Sequence, residues 1–155
     1  MIHFTCCSSP FGPLRIGCED EYVVSIRLGS EETVDSASPL SDQVAAQLRA
    51  YFAGSRKDFD LPIKPKGTPF QLAVWQEMLR IPYGEARTYQ QIAAAIGKPK
   101  AARAVGQAAN RNPIWIVIPC HRVISSNREL TGYAGGVIMK RALLKLEQAK
   151  SRPPA

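Results

Sequence analysis

Residues 60–67 divide this sequence into two parts with different patterns. The segment contains two prolines and two lysines, a composition typical of a linker that runs over a protein surface. Before it, short alternating or β-branched stretches predict a small meander of strands, followed by a helix over 39–52 with apolar residues four apart. After it, helical patterns predominate. We therefore predict an α/β chain with two domains, 1–65 and 66–155.

A capping box over residues 68–71 predicts the first helix of the second part. A proline occupies the first helical position, and the helix runs to about residue 81. We expect Leu72, Trp75 and Leu79 to form its buried stripe. Core packing rather than base stacking is the expectation for the tryptophan.

A second capping box, over residues 88–91, begins a short helix that ends at Gly97, and a third helix covers about 101–110. Two short helices joined by a tight turn are a helix-turn-helix candidate, although many such pairs bind nothing. The third helix is rich in alanine and carries few groups that could read base edges. Its small residues either let DNA approach closely without sequence preference or pack against the preceding helices. The sequence leaves these alternatives equal.

The net charge also differs between the two parts of the sequence. Residues 1–65 hold six Lys or Arg and nine Asp or Glu, for a net charge of −3, whereas residues 66–155 hold fourteen and four, for a net charge of +10. A basic domain of this kind suggests a nucleic acid or another anionic surface as partner. A merely solvated basic face is an equally common explanation.

One cysteine in the second part has the surroundings of a nucleophile. The apolar run over 114–118 predicts a buried strand, and Pro119 ends it by removing a ladder donor. Cys120 follows at once, with His121 and Arg122 beside it as a base and a positive charge that could stabilise a thiolate. Neighbours in an extended chain point to opposite faces, so the motif requires a bend after the proline.

Glu147 lies on a predicted amphipathic helix with Leu144 and Leu143 three and four positions before it. Its carboxylate therefore either points inward, where it needs a partner, or forms an exposed pair with a base such as Lys150. The residues alone favour the exposed pair.

The remaining cysteines, Cys6, Cys7 and Cys18, form no disulfide framework, so we expect a reducing, intracellular setting. Together with His3 they match no zinc-ligand spacing, and we predict no metal. The start of the chain lacks a signal-peptide pattern, and no run is long enough to span a bilayer. The sequence therefore predicts a cytoplasmic protein.

Five short segments of the second part occur in a specific combination: TYQQ at 88–91, AARAVG at 101–106, NP at 112–113, IPCHRV at 118–123 and GYAGG at 132–136. Together they resemble the O6-alkylguanine-DNA alkyltransferases over about residues 66–148. The first part also looks like the bacterial members of that family. The resemblance implies a small ribonuclease H-like α/β domain followed by a mostly helical, winged helix-turn-helix-like domain.

The resemblance also implies a role for each residue of the reactive segment. Cys120 accepts an alkyl group from O6-alkylguanine irreversibly, once per molecule. His121 takes the thiol proton through a bridging water and passes charge toward Glu147. Asn112 ties the reactive turn to the helix-turn-helix. No cofactor is implied.

The substrate contacts follow in the same way. Tyr89 donates a proton to the guanine ring, the backbone carbonyls of Cys120 and Val123 hold the exocyclic amine, and Tyr133 forms a pocket wall. Ala134 stands where the family often has serine, so a hydroxyl hydrogen bond to the oxygen is absent. Arg103 fills the place of the base that is rotated out of the duplex.

The residues that the resemblance places against DNA are Tyr89, Ala101, Ala102, Arg103, Gly106 and Arg122. The implied partner is double-stranded DNA carrying O6-alkylguanine, or O4-alkylthymine as a second lesion. No membrane or obligate protein partner is implied, and we expect a monomer that can bind DNA cooperatively. The competing hypotheses are a lesion sensor that does not repair and a helix-turn-helix regulator. Sensors replace the acceptor cysteine, and a regulator needs side chains that read sequence.

Overall fold

The computed structural model describes residues 1–29, 36–126, 133 and 135–151. The chain divides into two compact units. The first comprises Met1–Lys66 together with Pro113–Trp115, and the second comprises Gly67–Asn112 and the residues from Ile116 onward. The sequence-based division into 1–65 and 66–155 assigns residues 113–115 to the second part, whereas the structure places them in the first unit.

The first unit contains an antiparallel sheet of three strands in the order β1 (His3–Cys7), β2 (Leu14–Glu19) and β3 (Tyr22–Leu28). The turn between β2 and β3 places Asp20 and Glu21 at φ 50 and 67. Two consecutive residues with positive φ match the right-handed twist of the strands that they connect. The meander predicted from the sequence is therefore confirmed.

Helix α1 (Pro39–Phe52) packs against β2 and β3. It begins at a capping box in which Ser38 accepts from the Ser41 amide, and a proline stands in its first turn. Val44, Leu48 and Tyr51 are buried against the sheet. The four-residue spacing predicts an inner face of Leu40, Val44, Leu48 and Phe52. Val44 and Leu48 are buried as predicted, whereas Tyr51 is buried in place of Phe52, which is only half-buried.

The predicted strand over 114–118 is wrong. Ile114 forms a parallel bridge with Ile26 of β3, and the Trp115 amide donates to the Ile26 carbonyl at 2.9 Å. The chain then turns at residues 116–117, with Ile116 at φ 75. That region of φ is unfavourable for a β-branched side chain, and sequence periodicity gives no sign of it. The apolar run is thereby shared between the two units.

In the second unit, α2 (Pro69–Met78) begins at the predicted capping box of Thr68 and Gln71. Its buried face consists of Val74, Trp75 and Met78. Leu72 and Leu79 are 40% and 43% exposed, so the predicted stripe was correct only for its tryptophan. The indole Nε1 donates to the Ala108 carbonyl at 2.8 Å, which confirms core packing for Trp75.

The rest of the second unit contains the helix-turn-helix and the final helix. The elements are β4 (Arg87–Thr88), α3 (Tyr89–Ala95), α4 (Ala102–Asn110), β5 (Val123–Ile124) and α5 (Val137–Ser151). β4 and β5 pair in parallel, and α2, α3 and α4 pack against one another. The predicted fold class, a small α/β part followed by a mostly helical part, is confirmed. Within the described residues, no helix is long and apolar enough to cross a membrane.

Candidate active site

The reactive segment bends where the sequence predicted. Cys120–Arg122 form a single 3-10 turn directly after Pro119, and the Arg122 amide donates to the Pro119 carbonyl at 2.9 Å. The turn ends at β5, where the Val123 amide donates to the Cys120 carbonyl. A 3-10 turn brings successive side chains around a tight axis instead of onto opposite faces. Cys120 and His121 are both buried, at 2% and 0% exposure.

Asn112 fixes the position of the thiol. Its Nδ2 donates to the Ile118 carbonyl at 2.9 Å and to Cys120 Sγ at 3.1 Å. Asn112 follows α4, so one amide group connects the end of the helix-turn-helix to the reactive turn. These contacts have the geometry that the resemblance implies, in which Asn112 ties the reactive turn to the helix-turn-helix.

Glu147 points inward and is fully buried. Its Oε2 lies 2.6 Å from His121 Nε2, and Arg122 donates to it twice, from Nε to Oε1 at 2.7 Å and from Nη2 to Oε2 at 3.1 Å. The Gly84 amide adds a longer bond to Oε1 at 3.4 Å. The exposed pairing that the residues alone favoured is therefore wrong, because two buried basic side chains surround this carboxylate.

Arg122 was expected to contact DNA and to stabilise the thiolate. Its guanidinium is instead buried, paired with Glu147, and its Nη1 donates to the Ile81 carbonyl at 2.7 Å. A guanidinium committed to a carboxylate and a carbonyl inside the fold has little left to offer a phosphate. The buried position corrects both expectations and gives Arg122 the role of holding the carboxylate.

The network changes the protonation of its members. Burial raises the pKa of the Cys120 thiol to about 11, although the Asn112 hydrogen bond and the charge of Lys140 act in the opposite direction. Burial also raises the pKa of Glu147, but hydrogen bonds and charges from His121 and Arg122 outweigh it and lower the pKa to about 2. Burial lowers the pKa of His121 against the opposing effect of Glu147. Glu147 is thus a carboxylate and His121 a neutral ring at neutral pH.

Sequence reasoning missed Lys140, which is fully buried. Its Nζ donates to Tyr89 Oη at 3.3 Å and lies 5.6 Å from the centre of that ring. Burial lowers the pKa of Lys140 to about 8, while the charge of a Cys120 thiolate would raise it. A signal was present in the sequence, because Lys140, Leu143 and Glu147 recur at helical spacing on one face.

The other predicted substrate residues are placed as follows. Val123 is fully buried in β5, and Tyr133 is 7% exposed. Burial raises the pKa of Tyr133 well above its usual range, and nearby negative charge on Cys120 and Glu147 adds to the effect. Ala134 lies outside the described residues.

Helix α4 presents two kinds of small residue. Ala108 and Ala109 are buried with Val105, so part of the helix packs inward, whereas Ala101, Ala102 and Gly106 are half-exposed. The side chain of Arg103 is exposed among these half-exposed positions. Inward packing is therefore confirmed for Ala108 and Ala109, and close approach of DNA to the half-exposed residues stays a prediction.

No group of three His, Cys, Asp or Glu side chains in the described ranges could hold a metal ion. The four cysteines, all within those ranges, are free thiols.

Two family descriptions together match most of the sequence. The DNA binding domain of 6-O-methylguanine DNA methyltransferase matches residues 69–149, and the ribonuclease-like domain of the same family matches residues 2–65. The chain belongs to this family. The ribonuclease-like description agrees with the fold expected for the first part.

Named relatives support the assignment over the full length. The constitutive methylated-DNA--protein-cysteine methyltransferase of Bacillus subtilis is 46% identical over 159 residues, which cover 96% of each chain. The crystal structure of the Mycobacterium tuberculosis O6-methylguanine methyltransferase has a TM-score of 0.89 and 42% identity, covering 99% of this chain and 97% of the other. A Mycobacterium tuberculosis OGT in complex with DNA has a TM-score of 0.88 and 44% identity, covering 96% and 94%.

Proposed function

We propose that this chain repairs O6-alkylated guanine in duplex DNA by taking the alkyl group onto Cys120. The sulfur attacks the carbon bonded to guanine O6, the S–C bond forms as the C–O bond breaks, and the electron pair of that bond leaves with the guanine. The thioether has no route back to a thiol, so each molecule reacts once. The observation that carries this proposal is the buried contact chain Asn112–Cys120 and His121–Glu147–Arg122 in a chain of this family.

His121 is suited to accept the thiol proton. Because Glu147 is a carboxylate, the ring nitrogen beside it, Nε2, must carry the hydrogen, which leaves a lone pair on Nδ1. Nδ1 is buried and makes no hydrogen bond within the part of the chain that the structure describes. A water between Nδ1 and the sulfur would carry the proton to this nitrogen. Glu147 orients the ring and stabilises the resulting imidazolium.

Tyr89 is suited to protonate the departing guanine. The Lys140 ammonium donates to the phenol oxygen, so the phenol proton is left for another acceptor, and the neighbouring positive charge favours its release. A purine ring nitrogen is that acceptor in our proposal. The same ammonium favours the Cys120 thiolate, so one buried cation assists both the nucleophile and the leaving group.

Access to the lesion requires that the base leave the duplex, at a cost of a few kcal/mol. Arg103 is exposed on α4 and fills the vacated position, while Ala101, Ala102 and Gly106 let the DNA backbone come close. The Val123 carbonyl and Tyr133 hold the base, and Ala134 offers a backbone amide in place of a hydroxyl. The protein acts as a monomer on double-stranded DNA, and its free thiols support a cytoplasmic location.

The deciding experiment is mass spectrometry after incubation with duplex DNA containing O6-methylguanine. We expect one added methyl group on the peptide that bears Cys120 and guanine in place of the lesion. Cys120→Ala should abolish transfer and leave duplex affinity nearly unchanged, and Cys18→Ala, which alters a buried thiol of the first unit, should transfer normally. An unmodified Cys120 beside intact lesion would contradict the proposal and favour a lesion sensor.

Arg103→Ala tests base rotation separately from chemistry. It should slow transfer from duplex DNA far more than transfer from the free alkylated base, because only the duplex needs a side chain in the vacated position. Arg111→Ala, which removes an equal charge at the end of the same helix, is the matched control. Equal losses on both substrates for Arg103→Ala would show that its role is structural. A strong preference of the wild type for one duplex sequence would favour a regulator instead.

A further inference from the structure

A basic groove lies on the second unit, outside the residues that surround Cys120. It has a volume of about 750 Å3, and its walls come from β4, the start of α3, β5 and one side of α5. Among the described residues that line it, three are cations, namely Arg87, Arg141 and Lys145, and none is acidic. We use the term basic groove for this surface.

The two groove cations that α5 supplies have no ion-pair partner among the described residues. Arg141 and Lys145 are four residues apart, so their side chains lie on the same side of the helix, and both are exposed. Neither makes an ion pair with another described residue. Like charges at this spacing cost a few tenths of a kcal/mol. Arg87 has a carboxylate partner, Glu85 at 3.1 Å, in an ion pair exposed at both ends.

The basic groove begins one residue away from the active site on two elements. Thr88 and Arg141 line the groove. The chain neighbour of each, Tyr89 and Lys140 respectively, belongs to the active site, where the two side chains are hydrogen-bonded to each other. A duplex that delivers a base to Tyr89 therefore has its backbone close to Thr88 and Arg141. DNA carries one negative charge per about 1.7 Å of helix axis, so phosphates are available along that whole path.

We propose that the basic groove binds the phosphate backbone of the duplex beside the rotated nucleotide, with Arg141 and Lys145 as the principal contacts. The proposal rests on the proposed function, because that function brings DNA to Tyr89. Hydroxyl and amide side chains in the same groove, Ser126 and Gln148, are further groups to which phosphate oxygens can bond. The contact adds affinity without sequence preference, as a lesion search requires.

The test is the salt dependence of binding to an unmodified duplex that is short enough to hold one copy. Arg141→Gln with Lys145→Gln removes both charges and keeps polar side chains of similar length. Each lost phosphate contact lowers the slope of log affinity against log salt by about 0.9, so we expect a reduction of about 1.8. Between about 50 and 200 mM salt, the loss of affinity should be roughly tenfold smaller than for the wild type.

The matched control is Arg27→Gln with Lys57→Gln, which removes the same two charge types from exposed positions of the first unit. It should leave the slope unchanged. Equal slopes for wild type and both double variants, with unchanged thermal stability, would overturn the proposal. The groove variant could instead keep the wild-type slope on the short duplex and pack more loosely along long DNA. That result would overturn the proposal and show that the groove binds a second copy of the protein.

Transfer from the free alkylated base separates this proposal from the proposed function. The free base has no phosphates, so the groove variant and the wild type should react with it at the same rate. A wild type that fails to react with any alkylated substrate would refute the proposed function, while the slope on unmodified DNA would still decide the role of the groove. A groove variant that no longer reacts with the free alkylated base, and whose slope of log affinity against log salt is also reduced, would show that Arg141 or Lys145 supports the active site instead.

Discussion

The two units differ in what they bury. The buried polar residues described in the first unit are all uncharged, namely Thr5, Ser41 and Gln47. Among its described residues, the second unit buries four basic or acidic side chains at 6% exposure or less, in addition to the Cys120 thiol: His121, Arg122, Lys140 and Glu147. Taking such groups out of water costs several kcal/mol each before their mutual contacts offset the cost.

The difference locates the chemistry. A unit whose interior is apolar or neutral needs only packing, and the first unit obtains it from Leu14, Ile16, Val44 and Leu48. A unit that collects paired charges around one thiol gives up part of that stability for control over protonation. Substitutions in the first unit should therefore change stability alone, whereas matched substitutions in the second should change stability and transfer together or in opposite directions.

The largest expected effect comes from Glu147→Ala. It leaves Arg122 buried without its counter-ion and His121 without its hydrogen-bond acceptor, which should cost about 3–5 kcal/mol in the free energy of unfolding. Leu48→Ala in the first unit should cost about 2–5 kcal/mol by leaving a cavity. Urea unfolding gives the stabilities, and transfer from the free alkylated base, scaled to the folded fraction, should fall only for Glu147→Ala. Equal losses of transfer would remove the distinction between the units.

Lowering the pH should reduce the folding stability that the Glu147 network contributes. The folded pKa of Glu147 is about 2 and the ordinary value is 4.5, so the unfolded chain takes up the proton first as the pH falls. The resulting stability is present above pH 4.5 and is lost between 4.5 and 2, by roughly 3 kcal/mol in total. Urea titrations at successive pH values should show this loss in the wild type and a flatter profile for Glu147→Gln. Asp42→Asn, at an exposed position of α1, should keep the wild-type profile.

Lys140→Met should move stability and activity in opposite directions. The folded pKa of Lys140 is about 8 against an ordinary 10.5, so the buried ammonium destabilises the folded state at neutral pH, and wild-type stability should rise between pH 8 and 10.5. The variant should gain about 1–3 kcal/mol at neutral pH and lose that rise. Transfer should slow by roughly a hundredfold, because the Tyr89 hydroxyl loses its cation.

Lys145→Met, on the exposed side of the same helix, is the control and should change stability by less than about 0.5 kcal/mol. Transfer from the free alkylated base should also stay at the wild-type rate. A Lys140→Met protein that is less stable than wild type and reacts normally would show that the lysine serves packing alone.

The smallest expected effects come from two helix caps. Ser38→Ala at α1 and Thr88→Ala at α3 each remove one side-chain bond to a helix amide and should each cost about 1 kcal/mol. Only Thr88→Ala should also slow transfer, because Tyr89 is the first residue of the helix that it caps. Thermal unfolding and free-base transfer measure the two effects. The same transfer rate in both variants would mean that Tyr89 is held by other contacts.

Local signals explain how much of the fold could be predicted. The capping boxes at Thr68 and Thr88 and the glycine at residue 97 gave the starts and the end of helices, because each depends only on residues a few positions apart. The run over 114–118 failed for the opposite reason. Its pattern suits a strand, but its first two residues contact β3, and the positive φ of Ile116 turns the chain so that no continuous strand forms.

The active site was predicted unevenly for a similar reason. Cys120 and His121 carry their chemistry in a short motif, so residue type and spacing suffice, whereas the role of Asn112 came only from the family resemblance. Arg122 and Glu147 are partners that lie 25 residues apart in sequence and meet only in the fold. From the sequence, solvent exposure was therefore the natural expectation for both. Lys140 was missed because a lysine on an amphipathic helix is ordinarily a surface residue.

The fully occupied carboxylate of Glu147 has one more consequence. With both oxygens accepting from His121 and Arg122 and a pKa of about 2, it cannot keep a proton at neutral pH. In the proposed mechanism, the proton that leaves the sulfur is therefore taken up by the imidazole and not by Glu147. A catalyst that cycles must empty its base after every round, and that requires an exit path. A protein consumed by its own reaction has no second round to prepare for, so the rate at which His121 afterwards loses its proton places no demand on the fold.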